Sequence, residues 1–358
     1  MNILYVGPYR QGWDGWSAAS RDYVSSLLLT NHNISLKPVY MAGGNPPPVT
    51  NEIIKAEQNQ LDKIDVIIQH VLPDLLEWHE GYNIGLIHTE TVLPTDHIWI
   101  NKINLMDELW VGSEYERVHL CSSGVKCKIS VMPVPVNIKL LEKYKNVDPL
   151  KGLDNKIVFY FVGEHTDRKN IMAFVKAFHR EFSPEENVGI IIKSGDERLK
   201  NEINEWKQYS RTRTEYIPEM LACGFLKEED LYGIHKRGNI FVLSSYGEAQ
   251  CRPMMDALYF NNRVICSDGI FASDLNPYTS LLVNCSAQVV NTKNPPLPHI
   301  YTGKEFWFQI DEFDLQRKMR YAYQSCLESP KDEHTKSHVE KFSLESTAER
   351  INKCLSEI

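Results

Sequence analysis

A unit that repeats along the chain most constrains its fold: a short apolar run, a polar loop carrying glycine, then apolar residues at helical spacing. Ile157-Val158-Phe159-Tyr160-Phe161-Val162 runs into Gly163-Glu164-His165-Thr166-Asp167-Arg168-Lys169-Asn170, after which Ile171, Phe174, Val175 and Phe178 share a helical face. Met1 to Val6 leads in the same way through Gly7 to Trp16 into a helix carrying Tyr23, Val24, Leu27 and Leu28. Asn239 to Leu243 leads through Ser244 to Cys251 into a helix with Met254, Ala257 and Leu258 on one side. Further strand runs at Val188–Ile192 and Val264–Cys266 alternate with helical patterns near 197–209 and 228–236. Strands alternating with helices pair in parallel, so the expected class is α/β. At 358 residues the chain exceeds what one core fills, which predicts two domains.

Several chemistries are disfavoured at once. The loop Gly7 to Trp16 matches neither G-x-G-x-x-G nor the phosphate loop ending in Gly-Lys-Ser/Thr, which weakens nicotinamide and ATP readings. No Asp-x-Asp pair and no Cys-x-x-Cys occurs, so neither a metal nor any other cofactor is expected. A net charge of −8 argues against nucleic acid as a partner. No apolar run approaches the ~20 residues of a membrane span, and no signal peptide precedes the first strand. The eight unpatterned cysteines suit a reducing, cytoplasmic location.

The richest stretch is Ser244-Ser245-Tyr246-Gly247-Glu248-Ala249-Gln250-Cys251-Arg252-Pro253-Met254-Met255-Asp256. Glu248 falls on the loop at a strand's C-terminal end, and Pro253 suits the first residue of the helix that carries Asp256. In open α/β sheets ligands bind outside such strand ends, where a helix N-terminus also offers N–H groups to an anion. A sugar-nucleotide site is the expectation.

With two acids separated by seven residues, this stretch resembles the signature of the retaining GT-B glycosyltransferases of the glycogen-synthase-like group (glycosyl transferases group 1). The resemblance implies two Rossmann-like domains facing across a cleft, with a C-terminal helix returning to the N-terminal domain. By position Glu248 inherits the acid near the transferred sugar and Asp256 the ribose contact, with Asp in place of the usual Glu. Ala249, Gln250 and Cys251 stand where the family usually has Gly-Phe-Gly, whose backbone approaches the sugar and phosphate.

A second block extends the match. A cationic pair at a strand-to-helix turn suits a departing diphosphate, because it neutralises charge that grows on the leaving group. Arg168 and Lys169 are assigned that work, and their position at a helix start, the unfavourable end for cations, favours function over surface decoration. Lys169 occupies the family's Lys position. Glu164, directly after Gly163, occupies its Arg position, and Arg168 is the candidate replacement. Gly224-Phe225-Leu226, a turn after a strand, marks the neighbourhood of the nucleotide base.

In the first half, Gly15 matches the family's glycine near the diphosphate and acceptor, and Trp13 and Trp16 are candidates for stacking on an acceptor sugar or for packing. Ile84 to Pro94 reads as a strand with a polar end, which places His88 and Glu90 as the acceptor-side candidates. Asp148–Gly152 marks the boundary, giving domains at 1–148 and 149–341. Leu344, Ala348, Ile351 and Leu355 line one face of a terminal helix, about 342–358, that rejoins the first domain. Gly43–Pro48 and Asn294–Pro298 read as proline-marked loops.

The resemblance implies transfer of a sugar from a nucleoside diphosphate sugar to a hydroxyl acceptor, a glycan or glycoconjugate as in polysaccharide biosynthesis. The anomeric configuration is retained, no metal is needed, and domain closure excludes water. The same fold also carries sugar-nucleotide epimerases and phosphorylases. A catalytically silent nucleotide-sugar-binding protein would suit the departures at Glu164 and Ala249–Cys251.

Overall fold

The computed structural model describes residues 1–12, 14–40, 47–292, 301–332 and 334–358. Trp13, most of the Gly43–Pro48 loop and the Asn294–Pro298 loop lie outside the described residues. The described residues form two parallel six-stranded sheets and one antiparallel hairpin.

The first sheet comprises β1 (Asn2–Gly7), β2 (Asn33–Pro38), β3 (Val66–Gln69), β4 (Tyr82–Leu86), β5 (Glu108–Val111) and β6 (Lys128–Val131). Its order is β2-β1-β3-β4-β5-β6. The second comprises β7 (Ile157–Val162), β8 (Val188–Ser194), β9 (Glu219–Cys223), β10 (Ile240–Leu243), β11 (Arg263–Ser267) and β12 (Leu282–Val283), in the order β12-β11-β10-β7-β8-β9. The hairpin pairs β13 (Cys285–Val289) with β14 (Phe306–Ile310). Central strands are covered on both faces, which is why β7, β10 and β11 are apolar-rich runs rather than alternations: every residue of each is buried.

The strand orders locate the crevices. In the first sheet the order reverses between β1 and β3, and in the second between β7 and β10. Crossover helices leave on opposite faces at such a point, opening a space beyond the strand C-termini. The loops there begin at Pro8 and His70 in the first sheet and at Gly163 and Ser244 in the second.

The chain divides into two compact units, Met1–Ile138 with Glu340–Ile358, and Lys139–Val339. The helix Ile138–Tyr144 is tied into the second unit, where Glu142 accepts from Tyr259 Oη and Lys336 Nζ, each at 2.5 Å. The C-terminal helix Leu344–Leu355 belongs to the first unit, as the resemblance implies. Leu344, Ala348, Ile351 and Leu355 are all buried, and Ile351 and Leu355 join the core formed by Tyr23, Val24, Leu27, Ile3 and Trp110. Full burial of each of those two side chains stabilises the unit by about 1.5–3 kcal/mol.

Two local expectations shift by a residue or more. The helix after Glu248 begins at Arg252, so Pro253 takes its second position, where a missing N–H is equally harmless. The strand expected from Ile84 to Pro94 ends at Leu86; Ile87 N–H still donates to the Trp110 carbonyl of β5 at 3.1 Å, and two residues on Thr89 N–H bonds the Glu116 side chain instead of a strand.

Candidate active site

In the second unit three donors converge on one carboxylate oxygen. Glu248 Oε1 lies 2.5 Å from Lys169 Nζ, 2.9 Å from Arg168 Nη1 and 2.9 Å from Ser245 Oγ. Lys169 and Arg168 come from the loop after β7, and Ser245 and Glu248 from the loop after β10, the two strands flanking the switch point. Glu248 is only 4 % exposed. Burial pushes its carboxyl up. The Lys169 and Arg168 charges, with the hydrogen bonds from Lys169 and Ser245, outweigh this and hold it below the ordinary value, so it is an anion at neutral pH.

The backbone explains why the two loops meet. Tyr246 N–H donates to the Arg168 carbonyl at 2.8 Å, and Arg168 Nη1 donates to the Gly247 carbonyl at 2.6 Å. Asp167–Lys169 forms a single tight turn ended by Asn170 at φ +46°, a left-handed conformation that Asn tolerates. Ser244 Oγ donates to the Asn170 carbonyl at 2.9 Å.

The other candidates of this unit fall around that centre. Gly163 directly follows β7 and its N–H donates to the Lys193 carbonyl. Exposed Glu164 lies against Gly195: a Cβ at position 195 would fall 2.5 Å from Glu164 Oε2, the flexible end of a side chain that can swing aside. Ala249 and Cys251 are buried and Gln250 is half-buried. Cys251 is the N-cap residue of the following helix, its backbone carbonyl accepting from Met254 N–H at 3.0 Å while its thiol makes no capping bond. Asp256 is half-buried on that helix, close enough for its charge to contribute to the raised Tyr160 pKa, after the larger effect of burial. Phe225 is 81 % exposed in the turn beyond β9, where Gly224 adopts φ +84°. Ser245 was not foreseen. It sits in the same polar run as Glu248, three residues before it, and that proximity was the available signal.

The first unit builds a separate aromatic cluster at the ends of β1, β3 and β4. Trp16 Nε1–H donates to His70 Nε2 at 2.8 Å, and an indole nitrogen can only donate. The proton of His70 therefore resides on Nδ1 and points to Tyr5 Oη at 2.8 Å, which leaves the tyrosine hydroxyl to donate to Ser20 Oγ at 2.8 Å. His70 is fully buried; burial, and then the neighbouring His88, hold its pKa well down, so the relay is neutral. Sequence reasoning missed His70, although the polar pair Gln69-His70 after the apolar run Val66–Ile68 was its signal.

His88 stacks on Tyr23, with ring centroids 6.0 Å apart and planes 18° apart, and lies edge-on to His70 at 5.3 Å. Neither of its ring nitrogens has a hydrogen-bond partner among the described residues, and burial lowers its pKa to about 4. Glu90, two residues on, is half-buried. Between them Thr89 is held by Glu116, whose Oε1 accepts from Thr89 N–H at 2.6 Å and Thr89 Oγ1 at 2.9 Å, while Oε2 accepts from Gly112 N–H at 2.8 Å. The spacing Ser113-x-x-Glu116 is that of a helix capping box, but this glutamate reaches across to the β4 exit loop. Gly15 opens the helix Gly15–Leu28, whose N-cap Asp14 accepts from Trp16 and Ser17; a Cβ at Gly15 would meet nothing within 4 Å.

Among the described residues no group of His, Cys, Asp and Glu side chains could hold a metal ion, and no helix is long and apolar enough to cross a membrane. All eight cysteines are free thiols.

No family model matches the chain, and no curated protein matches its sequence. Solved structures match it over full length. Anabaena HepE in complex with UDP and glucose aligns at TM-score 0.64 and 11 % identity, covering 100 % of both chains. Sucrose-phosphate synthase from Thermosynechococcus elongatus aligns at 0.65 and 14 %, covering 100 % of this chain and 98 % of its own. OtsA in its apo form aligns at 0.67 and 11 %, covering 100 % of both. The chain has the GT-B fold, with two Rossmann-like sheets.

Proposed function

We propose that this protein is a retaining glycosyltransferase that moves a sugar from a nucleoside diphosphate sugar to a hydroxyl group of a glycan or glycoconjugate in the cytoplasm. The observation that carries the reading is the convergence of Lys169, Arg168 and Ser245 on Glu248 at the switch point of the second sheet. The HepE structures with UDP and UDP-glucose support a uridine nucleotide as the first donor to try.

Each group has a chemical task. Cleavage of the bond to the anomeric carbon builds negative charge on the departing diphosphate; Lys169 and Arg168 neutralise it, work otherwise done by a metal ion. Glu248 orients the sugar through its hydroxyls and is kept ionised by the same two cations. Asp256 binds the ribose, the turn at Phe225 flanks the base, and backbone of Gly15, Gly163 and Ala249–Cys251 lines the donor. In the first unit His88, with two unpartnered ring nitrogens and a low pKa, is a neutral hydrogen-bonding group for the acceptor side, and Glu90 accompanies it. A donor phosphate oxygen takes the acceptor proton on the face from which the leaving group departs, which retains configuration.

The test begins with thermal shift against a panel of nucleoside diphosphates and their glucose, galactose and N-acetylglucosamine conjugates, with EDTA and then with magnesium, since ligand that binds only the folded state raises its stability. A hit is followed by acceptor screening and NMR assignment of the product anomer. Loss of transfer in folded Glu248→Ala and Lys169→Ala is expected; full activity in both refutes the assignment. Glu164, a carboxylate in the family's Arg position, favours a second reading, a binding protein without turnover. Saturable donor binding with no transfer to any acceptor would select it.

A further inference from the structure

We infer that the β13–β14 hairpin is a strap that fixes the geometry of the candidate active site, with Trp307 as its positioning residue; the inference rests on the reading of Lys169, Arg168 and Glu248 given above. The hairpin lies outside the six-stranded sheet yet touches both loops that build the site. Phe308 N–H, on β14, donates to the Tyr246 carbonyl at 2.7 Å, and Tyr246 N–H donates to the Arg168 carbonyl at 2.8 Å. Tyr246 is thereby threaded between β14 and the Arg168 loop, bonded on both sides. Beyond β13, Thr292 Oγ1 donates to Asp167 Oδ2 at 2.8 Å, gripping the residue directly before Arg168.

Side chains reinforce this backbone bridge. Trp307 is 1 % exposed and packs on the Tyr246 ring with centroids 4.8 Å apart. Phe308 covers the turn after β11, where Gly269 adopts φ +92° and a Cβ would meet Phe308 Cδ1 at 2.9 Å. That turn leads into Ala272, whose N–H donates to the Glu248 carbonyl at 3.1 Å. Three sides of the Tyr246–Glu248 tract are therefore held by the hairpin or by what it covers. A loop at a strand end has few restraints of its own. Without the strap, the loops after β7 and β10 would be linked chiefly through Arg168, Ser244 and the very ion pairs that a donor must disturb. The indole N–H of Trp307 has no acceptor among the described residues, so its contribution is packing, and a phenylalanine can supply most of it.

The experiment compares wild type with Trp307→Ala, Trp307→Phe and Thr292→Val, each checked for folding by circular dichroism and measured well below its melting temperature. In ligand-free protein, amide hydrogen exchange of segments 166–170 and 246–248 is expected to accelerate at least tenfold in Trp307→Ala and to stay near wild type in Trp307→Phe. Uridine diphosphate titrated by calorimetry is expected to bind Trp307→Ala about tenfold more weakly. With the working donor, kcat is expected to fall by a larger factor than KM rises, because an ångström of misplacement costs about a hundredfold in rate. Thr292→Val, an exposed single-bond loss, is expected to show a few-fold weakening of the same kind. Unchanged exchange in both segments of folded Trp307→Ala overturns the inference whether or not any nucleotide binds. So does a lowered melting temperature with wild-type kcat and KM. A wild type that binds no nucleoside diphosphate, while exchange still responds to Trp307, refutes the donor reading and leaves the strap standing.

Discussion

Replacing Glu248 by Gln should tighten the binding of a nucleoside diphosphate while abolishing sugar transfer. In the folded chain the Glu248 carboxylate neutralises part of the charge of Lys169 and Arg168, so an incoming diphosphate competes with it for both cations. A phosphate oxygen placed on the far side of the Lys169 ammonium at about 2.8 Å would lie about 5 Å from Glu248 Oε1, given the 2.5 Å contact already there. Coulomb repulsion at that distance is about 3 kcal/mol at an effective dielectric of about 20 and about 0.8 kcal/mol at that of water. Removing it should tighten uridine diphosphate binding by between about 4-fold and about 200-fold, most strongly at low salt. Ligand-free Glu248→Gln should also be less stable than wild type, by on the order of 2–3 kcal/mol, since two partly buried cations lose their counter-ion. Its melting temperature should therefore rise further on adding the nucleotide. Binding of the whole nucleotide sugar should gain less, because the sugar loses its carboxylate partner. Calorimetry at two ionic strengths reads all of this. Weaker binding of uridine diphosphate by folded Glu248→Gln would refute the competition argument and show that the carboxylate does not oppose the phosphates.

Lys169→Ala should lower kcat/KM by about a hundredfold or more, as expected when a donor to a developing oxyanion is lost, with Lys169→Arg recovering part of it in steady-state assays. Glu116 supplies a pH test: burial, its largest influence, lifts its carboxyl from 4.5 to about 7 despite the opposing hydrogen bonds from Thr89 and Gly112. A raised acid binds more protons folded than unfolded, so its stabilising contribution is complete below pH 4.5 and is lost as pH rises through about 7, on the order of 3 kcal/mol. Denaturant midpoints from pH 4.5 to 8 should show this slope in wild type and lose it in Glu116→Gln; equal slopes would place the Glu116 carboxyl in the ordinary range. His70→Phe should cost about 1–3 kcal/mol by orphaning Trp16 Nε1–H and disturbing the Tyr5 relay, and should shift Trp16 emission, read by fluorescence-monitored urea unfolding. Gly238→Ala should destabilise by about 1–3 kcal/mol, because its Cβ would fall 2.3 Å from the Tyr160 ring; a wild-type midpoint would show that the ring can move.

The sequence by itself determined the class of fold, because apolar runs such as Ile157–Val162 and the helical spacing of Ile171, Phe174, Val175 and Phe178 are local signals that burial on both faces of a parallel sheet imposes. It also singled out Glu248, Lys169 and Arg168, since charged residues on loops between buried elements stand out against an apolar background. Only the tertiary structure decided that these three meet at one carboxylate oxygen, because residues 168 and 248 are brought together by strand order, which has no local signature. The same holds for His70, whose partners Trp16 and Tyr5 lie more than fifty residues away in sequence, and for Glu116, whose helix-cap spacing conceals its hold on Thr89. Trp307 is the extreme case. Nothing within its own segment, Phe306-Trp307-Phe308, relates it to Tyr246 sixty-one residues earlier, since their contact depends on where a hairpin folds back over the end of a sheet.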